Sequence, residues 1–184
     1  MKPLGGTELQ YEFLKQHVDS NLLENFSICL SVPGRVPLSA NKINILWQKM
    51  APDQPHFQDF YKDQERLKEY DYYVFNSHWN YEQFRKTFKL PHERCVVIKN
   101  GIQNLKLRDP KQKKDKIKLI YHPTPWRGLS VLLGAMQLIK NTNIELDVYS
   151  STKIYGSDFE KDNDSQYQAL YDQAKLLPNV NYIG

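Results

Sequence analysis

The chain has 184 residues, of which 40% are hydrophobic, 12% aromatic and 25% charged, with a formal charge of +4. That profile belongs to a globular protein able to bury a core, and it excludes a disordered polar tract or a disulfide-built scaffold. No apolar run approaches the ~20 residues that span a bilayer, no signal-peptide core opens the chain, and no segment repeats, so membrane-spanning, solenoid and propeller classes are set aside.

In chain order, Leu9, Phe13, Leu14 and Val18 recur at helical spacing and predict a helix over Thr7–Val18. Phe26–Val32 and Ile43–Trp47 are compact apolar runs that predict strands, and the Pro-rich stretch 51–55 predicts a loop. Gln58–Glu69 reads as a helix. Tyr72–Phe75 reads as a strand, with Asn76-Ser77 offering an N-cap to a helix over Asn80–Phe88 that Leu90-Pro91 ends. Cys95–Ile98 is the next strand, closing on Asn100-Gly101 as a turn. The pattern then restarts with a strand Ile117–Tyr121, a helix Leu129–Lys140, a strand Ile144–Tyr149, a helix Ser165–Leu177 and a strand Val180–Ile183. Strands alternating with helices imply βαβ units with right-handed crossovers, hence an α/β fold with largely parallel sheets. Cys29 and Cys95 both fall in strand-like runs and read as reduced, buried thiols of a cytoplasmic protein.

The charge is concentrated. Residues 105–118 hold seven Lys/Arg against two Asp, a net +5, and the remainder of the chain is −1. Because this excess is one Pro-containing polar segment without interleaved aromatics, it reads as a solvated linker between two domains. A contact with anionic lipids at the inner membrane face, or with phosphates, is the alternative. Nucleic acid is not an expected partner, since binding it calls for a basic face with stacking aromatics. The predicted domains are therefore 1–104 and 117–184, joined by the linker 105–116.

Three stretches could carry chemistry. Gly5-Gly6-Thr7-Glu8 opens a helix, where glycines allow close backbone approach and free amides attract anions; an ordinary capped turn is the competing reading. His122 to Gly128 links a strand to a helix at the sheet edge where α/β folds bind ligands, and Arg127 with Gly128 suits a diphosphate. There, too, a rigid proline turn with Arg127 on the surface is the plainer alternative. Asn76-Ser77-His78 leads into a helix, with Ser77 a cap before it is a nucleophile and His78 a candidate cleft contact. The five histidines and two cysteines lack metal-ligand spacing, so no metal site is predicted.

Taken together, Gly5–Glu8, Val74–Trp79, Cys95–Ile102 and Leu119–Leu129, in that order, resemble the GT-B glycosyltransferases, specifically the group-1 (family 4-like) nucleotide-sugar enzymes. The resemblance extends to Ile144–Tyr149 and Pro178–Gly184. It implies two Rossmann-like domains, the N-terminal one receiving a glycan or lipid-linked acceptor and the C-terminal one, here incomplete, binding a nucleotide-diphosphate sugar as donor. No cofactor is implied, and transfer would be retaining and metal-independent. Gly5, Gly6 and Glu8 would approach the donor, with Thr7, Ser77, His78, Asn100 and His122 as further cleft contacts. Arg127 beside Gly128 would neutralise the leaving diphosphate.

The chain departs from the family at several points. His122 stands where an arginine is common, and Gln48-Lys49 where a sugar-contacting histidine is common. Only four residues precede Gly5, too few for the usual first strand. A pair of glutamates eight residues apart is expected to contact sugar and ribose, and none of the nine glutamates has such a partner. Weak or absent transfer by these residues alone is therefore the expectation. A non-catalytic module binding a glycan or a partner chain that completes the second domain is the alternative.

Overall fold

The computed structural model describes residues 5–102, 116–139 and 143–184. They form two compact units, one built on Gly6–Asn104 and the other containing Leu105–Gly184. The predicted basic linker, apart from Lys116, lies outside the described residues, as does Lys140 at the expected end of a helix.

The first unit holds four parallel strands, β1 (Phe26–Leu30), β2 (Ile43–Gln48), β3 (Tyr72–Phe75) and β4 (Cys95–Val97), hydrogen-bonded in that spatial order. The register pairs Leu30 with Trp47 and Gln48 with Phe75, so the strands' carboxyl ends share one edge. Two short helices, α1 (Gly6–His17) and α2 (Ser20–Leu23), precede β1, and α3 (Pro55–Lys62) and α4 (His78–Phe88) come after β2 and β3. Alternation along the strands divides the residues between faces. Cys29, Leu46, Tyr73 and Phe75 face α3 and α4 in a core rich in rings, including Phe57, Tyr61, Phe84 and Phe88. Tyr61 is the hub of that core, edge-on to Phe84 at 4.9 Å and stacked on Phe88 at 5.1 Å between centroids.

The second unit has three parallel strands in sequence order, β5 (Ile117–Tyr121), β6 (Ile144–Val148) and β7 (Val180–Tyr182). Its helices are α5 (Leu129–Leu138), α6 (Ser157–Asn163) and α7 (Gln168–Leu176). Leu129, Leu133 and Met136 of α5 and Tyr171 and Ala174 of α7 bury Leu146, Val148 and Val180. The opposite sheet face is mostly polar: Lys118 and Lys116 pair with Glu145, and Asn181 donates to Asp147.

The α/β class and parallel pairing agree with the sequence reading, but several elements differ. The helix expected over Gln58–Glu69 starts three residues earlier, because Pro55 fits the first helical position, and stops at Lys62. Asp63 then takes extended backbone, and its carboxylate accepts the Glu65 and Arg66 amides, starting a separate 3₁₀ turn over Arg66–Lys68. α4 begins at His78 rather than Asn80, directly after its Ser77 cap, whose oxygen accepts the Asn80 amide. Asn100-Gly101 is no tight turn. Instead the Gln10 side chain both donates to the Gly101 carbonyl and accepts its amide, tying α1 to the end of β4. Cys95 is only half-buried, though both thiols are free.

The helix expected over Ser165–Leu177 begins as a 3₁₀ turn, Asp164–Tyr167, and continues as α7, while α6 before it was not expected. Asp164 directs the break between the two helices. Its Oδ1 accepts the Thr152 amide at 3.0 Å, the Thr152 hydroxyl at 2.8 Å and the Tyr171 hydroxyl at 2.9 Å. Burial alone would raise the Asp164 pKa, but these donors outweigh it and hold the carboxyl below its ordinary value. A lowered folded pKa stabilises the unit above the ordinary carboxylate range, and the contribution is lost as pH falls through the lowered value. Thr152 is fully buried, so Asp164→Ala strands its donors and should destabilise this unit by about 2 kcal/mol at pH 7. Hydrogen exchange of a peptide spanning 152–171 measures this, and the difference from the native chain should narrow in acid.

Candidate functional site

In parallel α/β sheets, ligands bind beyond the carboxyl ends of the strands, where loops and helix N-termini converge. In the first unit that edge is organised by Gln48, which is fully buried. Its amide nitrogen donates to the Ser31 carbonyl and the Tyr61 hydroxyl, both at 3.1 Å, while its oxygen accepts the Lys49 and Met50 amides at 2.9 and 2.8 Å. Every polar valence is used, so Gln48 is a structural clamp.

Two neighbours of the clamp stand out chemically. Ser31 follows β1 in the left-handed region at φ 59°, is buried, and has a hydroxyl with no partner among the described residues. Lys49 emerges beside Gln48 with its ammonium 3.6 Å from the centre of the Trp47 ring and 2.8 Å from Asn100 Oδ1. Burial lowers its pKa to about 8.

Along β1 runs a cavity of about 600 Å³, lined by Thr7 and Glu8 of α1, Ser31 and Met50 at the carboxyl edge, and Arg35 and Lys42 from the β1–β2 connection. Glu8, expected on the donor side, and Thr7, expected as a cleft contact, thus share a cavity with two cations. A side chain at Gly6 would meet nothing within 4 Å, so neither crowding nor left-handed backbone demands the glycine there. Gly5 directly precedes α1. Ser77 and His78 do not line this cavity: the Ser77 hydroxyl caps α4 and contacts Asn76, and His78 is exposed on the first turn.

In the second unit, β5 runs into the stretch His122–Gly128. The Tyr121 hydroxyl donates to the Thr124 carbonyl at 3.0 Å, and Ser150 donates to the Pro123 carbonyl at 2.8 Å. Pro125–Arg127 forms a 3₁₀ turn, and Gly128 at φ 100° reverses the chain into α5. That φ strains any side chain, so glycine is required at 128. α5 has no side-chain cap; its first backbone bond runs from the Leu132 amide to the Gly128 carbonyl. The Leu129 amide meets the Tyr121 hydroxyl, so the first turn of α5 presents the amides of Ser130 and Val131 after the exposed Arg127, with His122 exposed on the same connection. Trp126 stacks on Tyr155 at 5.8 Å between centroids, and Phe159 and Tyr167 complete an aromatic cluster against the turn.

The sequence pointed to Thr7 and Glu8, which share a cavity, and to His122, Arg127 and Gly128, which share a turn. Asn100 is joined to Lys49, which the sequence marked only as standing with Gln48 in place of a family histidine, and it did not single out Ser31, Arg35, Lys42 or the Trp126 cluster. No periodicity announced the cluster, since Tyr155 ends a 3₁₀ turn, Gly156 at φ 99° breaks the chain after it, and Phe159 belongs to α6. For Lys49 there was no signal of the lowered pKa, which comes from tertiary burial. No family model matches this chain, and no curated protein does.

An ordinary lysine near 10.4 is less than about 1% neutral at pH 8, while Lys49 is about half neutral there. Succinimidyl acetate at pH 8 should therefore acetylate Lys49 before exposed lysines such as Lys99. Peptide mass spectrometry of a brief reaction checks this, and equal labelling of the two would contradict it.

Proposed function

We propose that this chain is a glycosyltransferase-type protein of the GT-B, group-1 kind, which binds a nucleotide-diphosphate sugar and serves transfer of the sugar to a glycan or lipid-linked acceptor. The observation that carries the reading is the Arg127–Gly128 turn. Gly128 at φ 100° opens α5 without a side-chain cap, beside an exposed arginine, past the carboxyl end of β5. A guanidinium fork and free helix amides form a diphosphate receptor, and the same donors would stabilise charge on the leaving diphosphate. The exposed Trp126 and Tyr155 add flat apolar surface next to that receptor, suited to a base or a sugar ring. In the first unit, Thr7 and Glu8 supply acceptor and donor groups to the β1 cavity, with Arg35 and Lys42 as its cations. The proposed setting is cytoplasmic, which two free thiols favour; among the described residues no helix is long and apolar enough to cross a membrane.

One observation favours a second reading, a binding module whose partner covers the second unit. Every β5 residue except Tyr121 is exposed, and β5 is an edge of its sheet, so its outer backbone groups can accept another strand. Sedimentation separates the two: a monomer that binds a nucleotide diphosphate favours the transferase reading, and a stable oligomer without nucleotide affinity favours the module.

Titration calorimetry with uridine, guanosine and adenosine diphosphates tests the donor site directly. One of them should bind, and Arg127→Ala should weaken it by roughly tenfold or more, or ~1.4 kcal/mol, without changing the circular dichroism spectrum. Failure of all three to bind, or an affinity indifferent to Arg127→Ala, would overturn the proposal.

A further inference from the structure

An amphipathic helix laid on a sheet ordinarily buries its apolar stripe, yet none of the twelve residues of α1 is buried. Leu14 and Val18, with Leu23 of α2, instead face Ile28, Ile45 and Val74 of the sheet across a space of about 200 Å³ with an entirely apolar lining. A groove of about 310 Å³ adjoins it and shares Leu14, Val18, Trp47 and Ile98. The two spaces together reach the range of small-molecule sites, roughly 300–1,000 Å³. They lie on the opposite flank of α1 from the Thr7–Glu8 cavity.

Three observations define what would fill them. A purely apolar space does not hold water, and left empty it forfeits the dispersion contacts of its lining, so the buried part of an occupant is hydrocarbon. Trp47 lines both spaces and is buried, and its indole N–H has no acceptor among the described residues, so the ring offers the occupant flat apolar surface at the junction of the two. The polar rim consists of Gln10, His17 and Lys99, Lys49 sits on the Trp47 ring, and no Asp or Glu lines either space. Cations without carboxylates select an anionic head group.

We propose that the first unit binds a single-chain anionic amphiphile, its hydrocarbon chain beneath α1 and its oxygen-bearing head at the Lys99 rim. The site is distinct from the Arg127 turn and does not depend on the transferase reading.

Titration calorimetry of the full chain with dodecyl phosphate, kept below its micelle-forming concentration, tests the site beside two controls, inorganic phosphate and dodecyltrimethylammonium. Dodecyl phosphate should bind saturably and one to one, about tenfold or more tighter than the cationic amphiphile, and inorganic phosphate should not bind at the same concentrations. Val18→Trp fills the apolar space and should lower dodecyl phosphate affinity about tenfold or more with an unchanged circular dichroism spectrum. Ile45→Phe, which fills it from the sheet side, provides the same reading should Val18→Trp fail to fold. Lys99→Ala should narrow the preference for the anionic over the cationic head. Inorganic phosphate binding as tightly as dodecyl phosphate, equal affinity for the two amphiphiles, or undiminished affinity in a folded filling variant would each overturn the proposal.

Discussion

The carboxyl edge of the first sheet depends on one buried amide. Gln48 braces three chain segments where the sheet ladder ends: the end of β1 through the Ser31 carbonyl, the exit of β2 through the Lys49 and Met50 amides, and α3 through the Tyr61 hydroxyl. Within a low-dielectric core each of those groups would be costly unpaired, so the four bonds act together or not at all. The left-handed turn at Ser31 and the path of Lys49 over Trp47 both result from where this side chain holds the backbone. The chemistry of the edge is thus arranged by a residue that takes no part in it.

The two units solve the same topological problem with different means. The first fills one side of its sheet with interlocking rings, where Tyr61 and Tyr73 also place their hydroxyls on Gln48 and on the Leu67 carbonyl. Desolvation raises the pKa of both phenols, which keeps them neutral throughout the ordinary pH range, Tyr61 accepting from Gln48 and Tyr73 donating to Leu67. The second unit relies on aliphatic packing of α5 and α7 against β6 and β7, and uses the Asp164 carboxylate to hold the loop after β6. Its remaining sheet face carries ion pairs, which contribute little in water and leave that face solvated.

The features legible in the sequence were local. Tyr72–Phe75 and Ile117–Tyr121 match their predicted bounds because short β-branched and aromatic runs between turn residues have few alternatives. α6 went unread because Ser157–Asn163 is polar and has no apolar period; its C-terminal end is held by the tertiary bonds of Asp164. Asn100-Gly101 carried a turn signal, and a glutamine 91 residues earlier claimed the glycine's backbone instead. Of the candidate site, Gly128 was named for a diphosphate beside Arg127, and the structure adds a backbone reason for the glycine, its φ of 100°. Lys49 and Ser31 were not, since desolvation and a left-handed serine are imposed from outside their own segments.

α1 touches the sheet from above with no buried residue of its own, pinned near β4 by the paired bonds between Gln10 and Gly101. One of its flanks, with Thr7 and Tyr11, walls the β1 cavity, and the other, with Phe13 and Leu14, walls the groove that adjoins the apolar space. A rigid rod pinned near its middle cannot tilt without opening space on one side and closing it on the other. Any occupant that wedges itself under either flank therefore reshapes the opposite one, and the helix behaves as a balance beam between two compartments.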